Sequence, residues 1–294
     1  MKKTTIALLT AAAMGTSGAV VAANHGPNFS GDVRVIYSEA DDAISTNRVK
    51  LNVSGSADAM AGTEAFYFVR FNAEDGVAVD GEADGVSRDF GFVGLRGDFG
   101  EVQAGSDDDL IYKFVGARTD LFRAQTPSSD ANGVGLAGAS GETFNNSVQY
   151  SVSVDAFSVA ALVDTGASDN IDTTQVAVGY DFGMGDVGIV YSDFDASDNS
   201  EIYVGASLNL DVATVSGFYG QNNADNSPYS LAVSGPLTGN ISYQLAYADG
   251  DGAADDAATI AQVIFDLGGG LETFANYRTG DQEDGFVLGA QYNF

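Results

Sequence analysis

From residue 28 to the C terminus, apolar residues recur every second position, and no stretch past the leader keeps a long helical spacing. Proline is scarce and glycine abundant, with 4 and 37 copies, which suits strands joined by turns. The alternation predicts strands at 28–38, 45–56, 63–72, 87–96, 99–105, 145–154, 156–164, 172–182, 185–194, 200–210, 212–220, 227–235, 239–249, 257–267, 270–279 and 284–294, sixteen in all. Their connections also alternate. Short turns at Gly97-Asp98, Asp155, Gly183-Met184, Asp211, Leu237-Thr238 and Gly268-Gly269 take turns with longer acidic loops such as 73–86, 165–171 and 250–256. Tight turns at one rim and loops at the other are the rhythm of an up-and-down barrel.

The two faces of each strand separate a barrel from a sandwich. Val148, Tyr150, Val152 and Val154 share one face, and Ser147, Gln149, Ser151 and Ser153 the other. Ile241, Tyr243, Leu245 and Tyr247 oppose Ser242, Gln244, Ala246 and Ala248; Ile202, Val204, Ala206, Leu208 and Leu210 make another apolar row. In the second half of the chain these rows carry no charge. The opposite face is too small and polar for a core, and too uncharged for an ordinary surface. It fits the wall of a water-filled lumen, with the apolar face against lipid. Tyr180, Phe182, Tyr219, Tyr229, Phe286 and Tyr292, near strand ends, fit interfacial girdles. The predicted fold is all-β: a transmembrane, antiparallel, up-and-down barrel of sixteen strands.

The N terminus agrees with that placement. Lys2-Lys3, an apolar run from Ile6 to Val21 and the small-residue ending Val21-Ala22-Ala23 predict a secretory signal peptide at 1–23, cleaved after Ala23, before a single barrel domain at 24–294. The chain has no cysteine, so it keeps its fold without disulfides. Of 12 basic residues Lys2 and Lys3 leave with the leader, so ten remain against 41 acidic ones, a net charge of −31. A chain so acidic cannot neutralise phosphates, which excludes nucleic-acid binding. Nine of those ten basic residues fall between Arg34 and Arg123, with only Arg278 beyond.

Three segments and the ending carry a family resemblance. The run 87-SRDFGFVGLRGDFGEVQAGSDDD-109 resembles the best-marked segment of the Gram-negative general porins, and 145-NNSVQYS-151 resembles their strand after the constriction loop. The opening 30-SGDVRV-35 with 47-NRVKLNVSG-55 is similar to the first hairpin of α-proteobacterial porins. The last strand, 285-GFVLGAQYNF-294, resembles the phenylalanine-terminated assembly signal of outer-membrane barrels. The resemblance implies a homotrimeric, general-diffusion porin of the outer membrane, in contact with its lipids and lipopolysaccharide, that passes small hydrophilic solutes and ions. It also implies that the third loop, about 106–144, folds inward to narrow the pore. There are departures: Ser106 stands where many members have arginine, and the Pro-Glu-Phe-Gly-Gly motif of enterobacterial constriction loops is missing. A more substrate-specific porin, and a structural or adhesive outer-membrane barrel, stay open beside this reading.

Arg34, Arg48, Lys50, Arg70 and Arg88 fall on the first four strands, on faces shared with Asp32, Asn52, Glu64 and Asn72. Facing lipid would cost each several kcal/mol near the midplane, so they are expected in the lumen; the competing reading is a network at a rim or subunit contact. In porins, loop carboxylates oppose such a basic wall. Asp107, Asp108, Asp109 and Asp120 are the candidates here, with Glu142 behind them, and the transverse field would favour dipolar solutes. The charge balance leans towards mild cation selectivity.

The aspartate triplet has two further readings. Ser106 followed by acids and then Leu110, Ile111, Phe114 and Val115 predicts a helix N terminus with a hydroxyl cap. Adjacent carboxylates also suit a structural calcium ion at Asp107, Asp108 and Asp109, although the spacing is no recognisable cage. No cofactor is expected. Gly183, Gly185 and Gly188 have dinucleotide-loop spacing without the following helix, and Asp98-Phe99-Gly100 is a turn. The single histidine, His25, precedes the predicted first strand and no acid–base pair stands in context, so an enzyme is not expected.

Overall fold

The computed structural model describes residues 24–40, 42–60, 62–73, 86–124, 143–166, 172–194, 199–221, 227–250, 257–280 and 284–294. The predicted signal peptide, Glu142 and the rest of the third loop from 125 onwards lie outside the described residues.

All sixteen strands form: β1 (Asn24–Ser38), β2 (Ala43–Asp58), β3 (Glu64–Ala73), β4 (Val86–Gly97), β5 (Gly100–Asp108), β6 (Thr143–Val154), β7 (Phe157–Asp164), β8 (Thr173–Asp181), β9 (Gly185–Phe194), β10 (Asn199–Asn209), β11 (Thr214–Gln221), β12 (Tyr229–Thr238), β13 (Ile241–Asp249), β14 (Ala258–Gly268), β15 (Leu271–Gly280) and β16 (Gly285–Asn293). Each pairs antiparallel with its sequence neighbours, and β1 pairs with β16, so the sheet closes on itself. Closure leaves no sheet edge to be satisfied in lipid. The C terminus completes the seam: Phe294 and Gly31 exchange backbone hydrogen bonds of 3.0 Å in both directions. No described helix is long and apolar enough to cross a membrane; the strands make the crossing.

The apolar rows face outward. Val178, Ile189, Tyr191, Ile202, Val204, Leu231, Leu245 and Leu288 are exposed large side chains, while Gln175, Ser192, Ser216, Gln262 and Asn276, on the opposite rows, are buried. Exposed aromatics gather at both rims. Phe157, Tyr180, Phe182, Phe265, Tyr292 and Phe294 lie towards the short turns, and Tyr219, Tyr229, Tyr247 and Tyr277 towards the loops. Phe286 also stands at the loop rim, 5.9 Å from the Tyr37 ring.

After β5 the chain forms a short helix, α1 (Leu110–Phe114), and a 3-10 turn (Gly116–Arg118). Leu110, Ile111 and Val115 cluster with Phe144, Leu162, Ala177, Val190, Tyr203 and Phe218, on β6 to β11. Phe122 joins Ala232, Ala246 and Ile260, on β12 to β14. Ala124 joins Ile264, Phe274, Val287 and Ile36, on β14 to β1. These partners lie on the buried rows, opposite the exposed apolar rows of the same strands, so the segment 110–124 packs against the inner face of the barrel.

Bulky apolar residues on the inner rows are a departure from the small, polar lumen that the alternation suggests. Leu162, Val190, Tyr203, Ile260 and Phe274 point inward and are buried under the loop. The loop gives those strands an apolar core, which the period of two cannot reveal.

Candidate functional site

The basic wall is built by neighbouring strands. The pairings Arg34↔Arg48, Asp32↔Lys50 and Asn52↔Arg70 set Arg34, Arg48, Lys50 and Arg70 on one face. Gln291, on the same row of β16, pairs with Arg34 and fixes that face as the inner one. Asp32 holds Arg48 at 2.7 Å.

Two β-bulges add polar groups to this wall. Between Arg34↔Arg48 and Val35↔Thr46 the extra residue is Asn47, whose Oδ1 accepts a 2.9 Å bond from Arg34 Nε. Between Arg70↔Phe90 and Phe71↔Arg88 it is Asp89, 3.8 Å from both Lys50 and Arg70. The second bulge corrects one expectation. A bulge shifts the alternation by one residue, so Arg88 pairs with Phe71 on the outer row and stands beside Gly91, away from Arg70. The lumenal group is Arg34, Arg48, Lys50 and Arg70; Arg88 is exposed on the other face.

The acidic candidates take separate partners. Asp107 is buried and receives Lys113 Nζ and Gln103 Nε2. Asp108, half-buried, offers its backbone carbonyl to Gln149 Nε2 at 2.9 Å. Asp109 is the residue that caps α1: its Oδ1 accepts from Tyr112 N–H at 2.7 Å, and Gln175 donates to its Oδ2 at 3.2 Å. The helix forms as predicted, but the cap is three residues later than Ser106. β5 continues through Ser106 to Asp108, and the Ser106 hydroxyl bonds Asp89 O instead. Asp120 accepts a 2.8 Å bond from the Tyr112 hydroxyl. It also lies within electrostatic reach of Arg34, as does Arg123, so the loop returns towards the basic wall there. Among the described residues no group of His, Cys, Asp or Glu is arranged to hold a metal ion.

Three ion pairs pin the loop to the wall: Lys113 with Asp107, Arg118 with Asp186 and Arg123 with Glu272. Gln175 Oε1 accepts from Leu110 N–H at 2.8 Å, and Gln262 Oε1 from Arg123 N–H at 3.0 Å. Beneath Phe114 and Val115 runs a row of glycines, Gly179↔Gly188↔Gly205, paired across β8, β9 and β10. A β-carbon on Gly188 would lie 2.2 Å from the Phe114 carbonyl oxygen, and one on Gly205 3.0 Å from Val115 Cα. These glycines let the loop backbone lie flat against the wall. Sequence reasoning missed this seat, although the glycines of the spurious dinucleotide pattern include one of its members.

A closed, lipid-facing barrel with charged residues and an inwardly folded loop in its lumen defines a membrane channel. The family profile for Gram-negative porins matches residues 8–294. The chain therefore belongs to the Gram-negative porins, a family of outer-membrane channels. No protein of curated function matches the sequence. Among solved structures, a Rhodopseudomonas blastica porin triple mutant superposes with a TM-score of 0.73 at 15% identity, covering 91% of this chain and 99% of its own. Salmonella typhi OmpF in complex with daunomycin gives 0.72 at 13%, covering 91% and 97%. A loop-deletion mutant of OmpT, an outer membrane protein of Vibrio cholerae, gives 0.71 at 17%, covering 94% and 100%. At these identities the structures share the fold.

Proposed function

We propose that the protein is a homotrimeric general-diffusion porin, exported with cleavage near Ala23 and embedded among outer-membrane lipids and lipopolysaccharide. It admits small hydrophilic solutes and ions through a constriction between the basic wall and the loop. The observation that carries this reading is the loop segment 110–124 crossing the inner face towards Arg34. Arg34, Arg48, Lys50 and Arg70 supply the positive side; Asp120, within electrostatic reach of Arg34, is the carboxylate best placed to supply the other. Asp107 and Asp109 mainly hold the loop in shape.

The selectivity follows from the local balance. Arg34, Arg48, Lys50 and Arg70 share their wall with Asp32 and Asp89, while the loop cations Lys113, Arg118 and Arg123 are each matched by a wall carboxylate. With the loop cations compensated and the wall cations partly so, the acidic remainder of the chain tips the pore mildly towards cations. Purified protein in planar bilayers should give stepwise conductance increments in groups of three, and a KCl gradient a zero-current potential of cation sign. Absence of steps would overturn the channel; a clear chloride preference would overturn the selectivity.

A further inference from the structure

The lumenal row of β3 and β4 continues below the basic wall in an unexpected way. From Arg70 towards the short-turn rim it reads Phe68, Phe66 and Glu64 on β3, paired with Phe92, Gly94 and Arg96 on β4, while Phe90 faces Arg70 itself. Four phenylalanines therefore occupy an inner face, on strands that the described loop residues do not cluster with. They are ordered as a ladder. Phe68 stacks on Phe92 with centroids 5.4 Å apart and planes at 22°, and Phe92 meets Phe66 edge-on at 6.3 Å. Cations cap both ends: the Arg70 guanidinium lies 4.5 Å from the Phe90 centroid and 5.5 Å from that of Phe68, and Arg96 lies 5.1 Å from that of Phe66.

Local packing accounts for part of this. Phe66 lies over Gly94, where a β-carbon would come within 2.4 Å of its ring. That seats the tip of the ring against the wall. Unlike the inward apolar residues of β7 to β16, which the loop buries, Phe66, Phe68 and Phe92 stay half-exposed. The described loop residues cluster with β6 to β16 and β1, so β3 and β4 belong to the remaining arc of the wall. On the channel reading, a permeating solute passes along it.

We propose that this ladder is a weak binding track for planar aromatic monocarboxylates. The ring lies against Phe68 and Phe92, and the carboxylate points to Arg70 and Lys50. Charge fixes the sign of the ligand. Arg34, Arg48, Lys50 and Arg70 outnumber Asp32 and Asp89 on this wall, so its local excess is positive even where the pore as a whole leans to cations. Offset stacking supplies preference for a ring over an aliphatic chain, and guanidinium–carboxylate pairing sets its direction. The two terms together suit a site that holds a solute briefly and lets it go, as conduction requires.

This inference rests on the channel reading, and one experiment separates their failures. Trimers in planar bilayers are titrated with potassium benzoate, cyclohexanecarboxylate or acetate against a constant KCl background. Benzoate should reduce the KCl conductance at concentrations about tenfold lower than acetate, with cyclohexanecarboxylate between them. The pair Phe68→Leu with Phe92→Leu keeps the site apolar while removing the rings and should bring benzoate level with cyclohexanecarboxylate; Arg70→Gln should weaken both ring acids. Equal block by benzoate and acetate, or undiminished benzoate block in the leucine variant, would overturn the proposal while the KCl steps keep the channel reading intact. Absence of KCl steps would remove the channel reading instead.

Discussion

Gly188 offers a sharp test of how the loop is held. Replacing it with alanine places a β-carbon 2.2 Å from the Phe114 carbonyl oxygen, which is backbone and cannot swing aside. Relief to an ordinary contact of about 3.5 Å requires the end of α1 to move by roughly 1 Å. That carbonyl also accepts from Arg118, which is bound to Asp186, so the shift disturbs the central ion pair as well. Overpacking of this kind costs about 1–3 kcal/mol, and each 1.4 kcal/mol is about a tenfold change in the ratio of unseated to seated loop. Gly188→Ala should therefore give an altered mean conductance and increased open-channel noise in single-channel recordings. Gly205→Ala, whose β-carbon would lie 3.0 Å from Val115 Cα, should give a smaller version of both. Gly239→Ala, with no heavy atom within 4 Å of its β-carbon, should match the wild type. If the Gly188 variant is as quiet as the Gly239 variant, the glycine seat is not what holds the loop.

Asp109→Ala removes the side-chain cap of α1 and one partner of buried Gln175; it should cost about 0.5–2 kcal/mol, read as a lower thermal transition of the folded barrel. Arg70→Glu reverses a charge on the basic wall and should move the zero-current potential further to the cation side, with a smaller shift in 1 M than in 0.1 M KCl because of screening. Arg88→Glu, on the outer row, should leave that potential unchanged; an equal shift would return Arg88 to the lumen. Deleting Phe294 removes both backbone bonds to Gly31 at the seam and should lower the yield of heat-resistant barrel in outer-membrane fractions.

The barrel was legible because its constraints are local and repeated. Lipid demands an apolar row, the lumen tolerates small and polar side chains, and turns and loops alternate between rims. Strand ends came within a few residues for that reason. Arg88 shows where the argument stops: a bulge at Asp89 changes the parity by one, and nothing in a period-two pattern marks the extra residue. The helix cap at Asp109 was displaced for a related reason, since Ser106 to Asp108 are polar whether they extend a strand or open a helix. Phe66 and Phe68 shared a row with Glu64 and Arg70 in the sequence, so their lumenal position was within reach of the same parity argument. The seat at Gly179, Gly188 and Gly205 was not, because it depends on which strands the loop crosses.

A water-filled barrel has no interior of its own to exclude solvent. In this one the most deeply buried apolar side chains include Leu110, Ile111 and Val115, all on the segment proposed to narrow the passage. Folding energy and aperture thus draw on the same contacts. Substitutions that enlarge the hole by detaching this segment also unpack the wall, so a more permissive channel comes at the expense of a sturdier one. Variants selected for uptake of larger solutes should accordingly carry compensating changes on β7 to β11, where Leu162, Val190 and Tyr203 receive the loop.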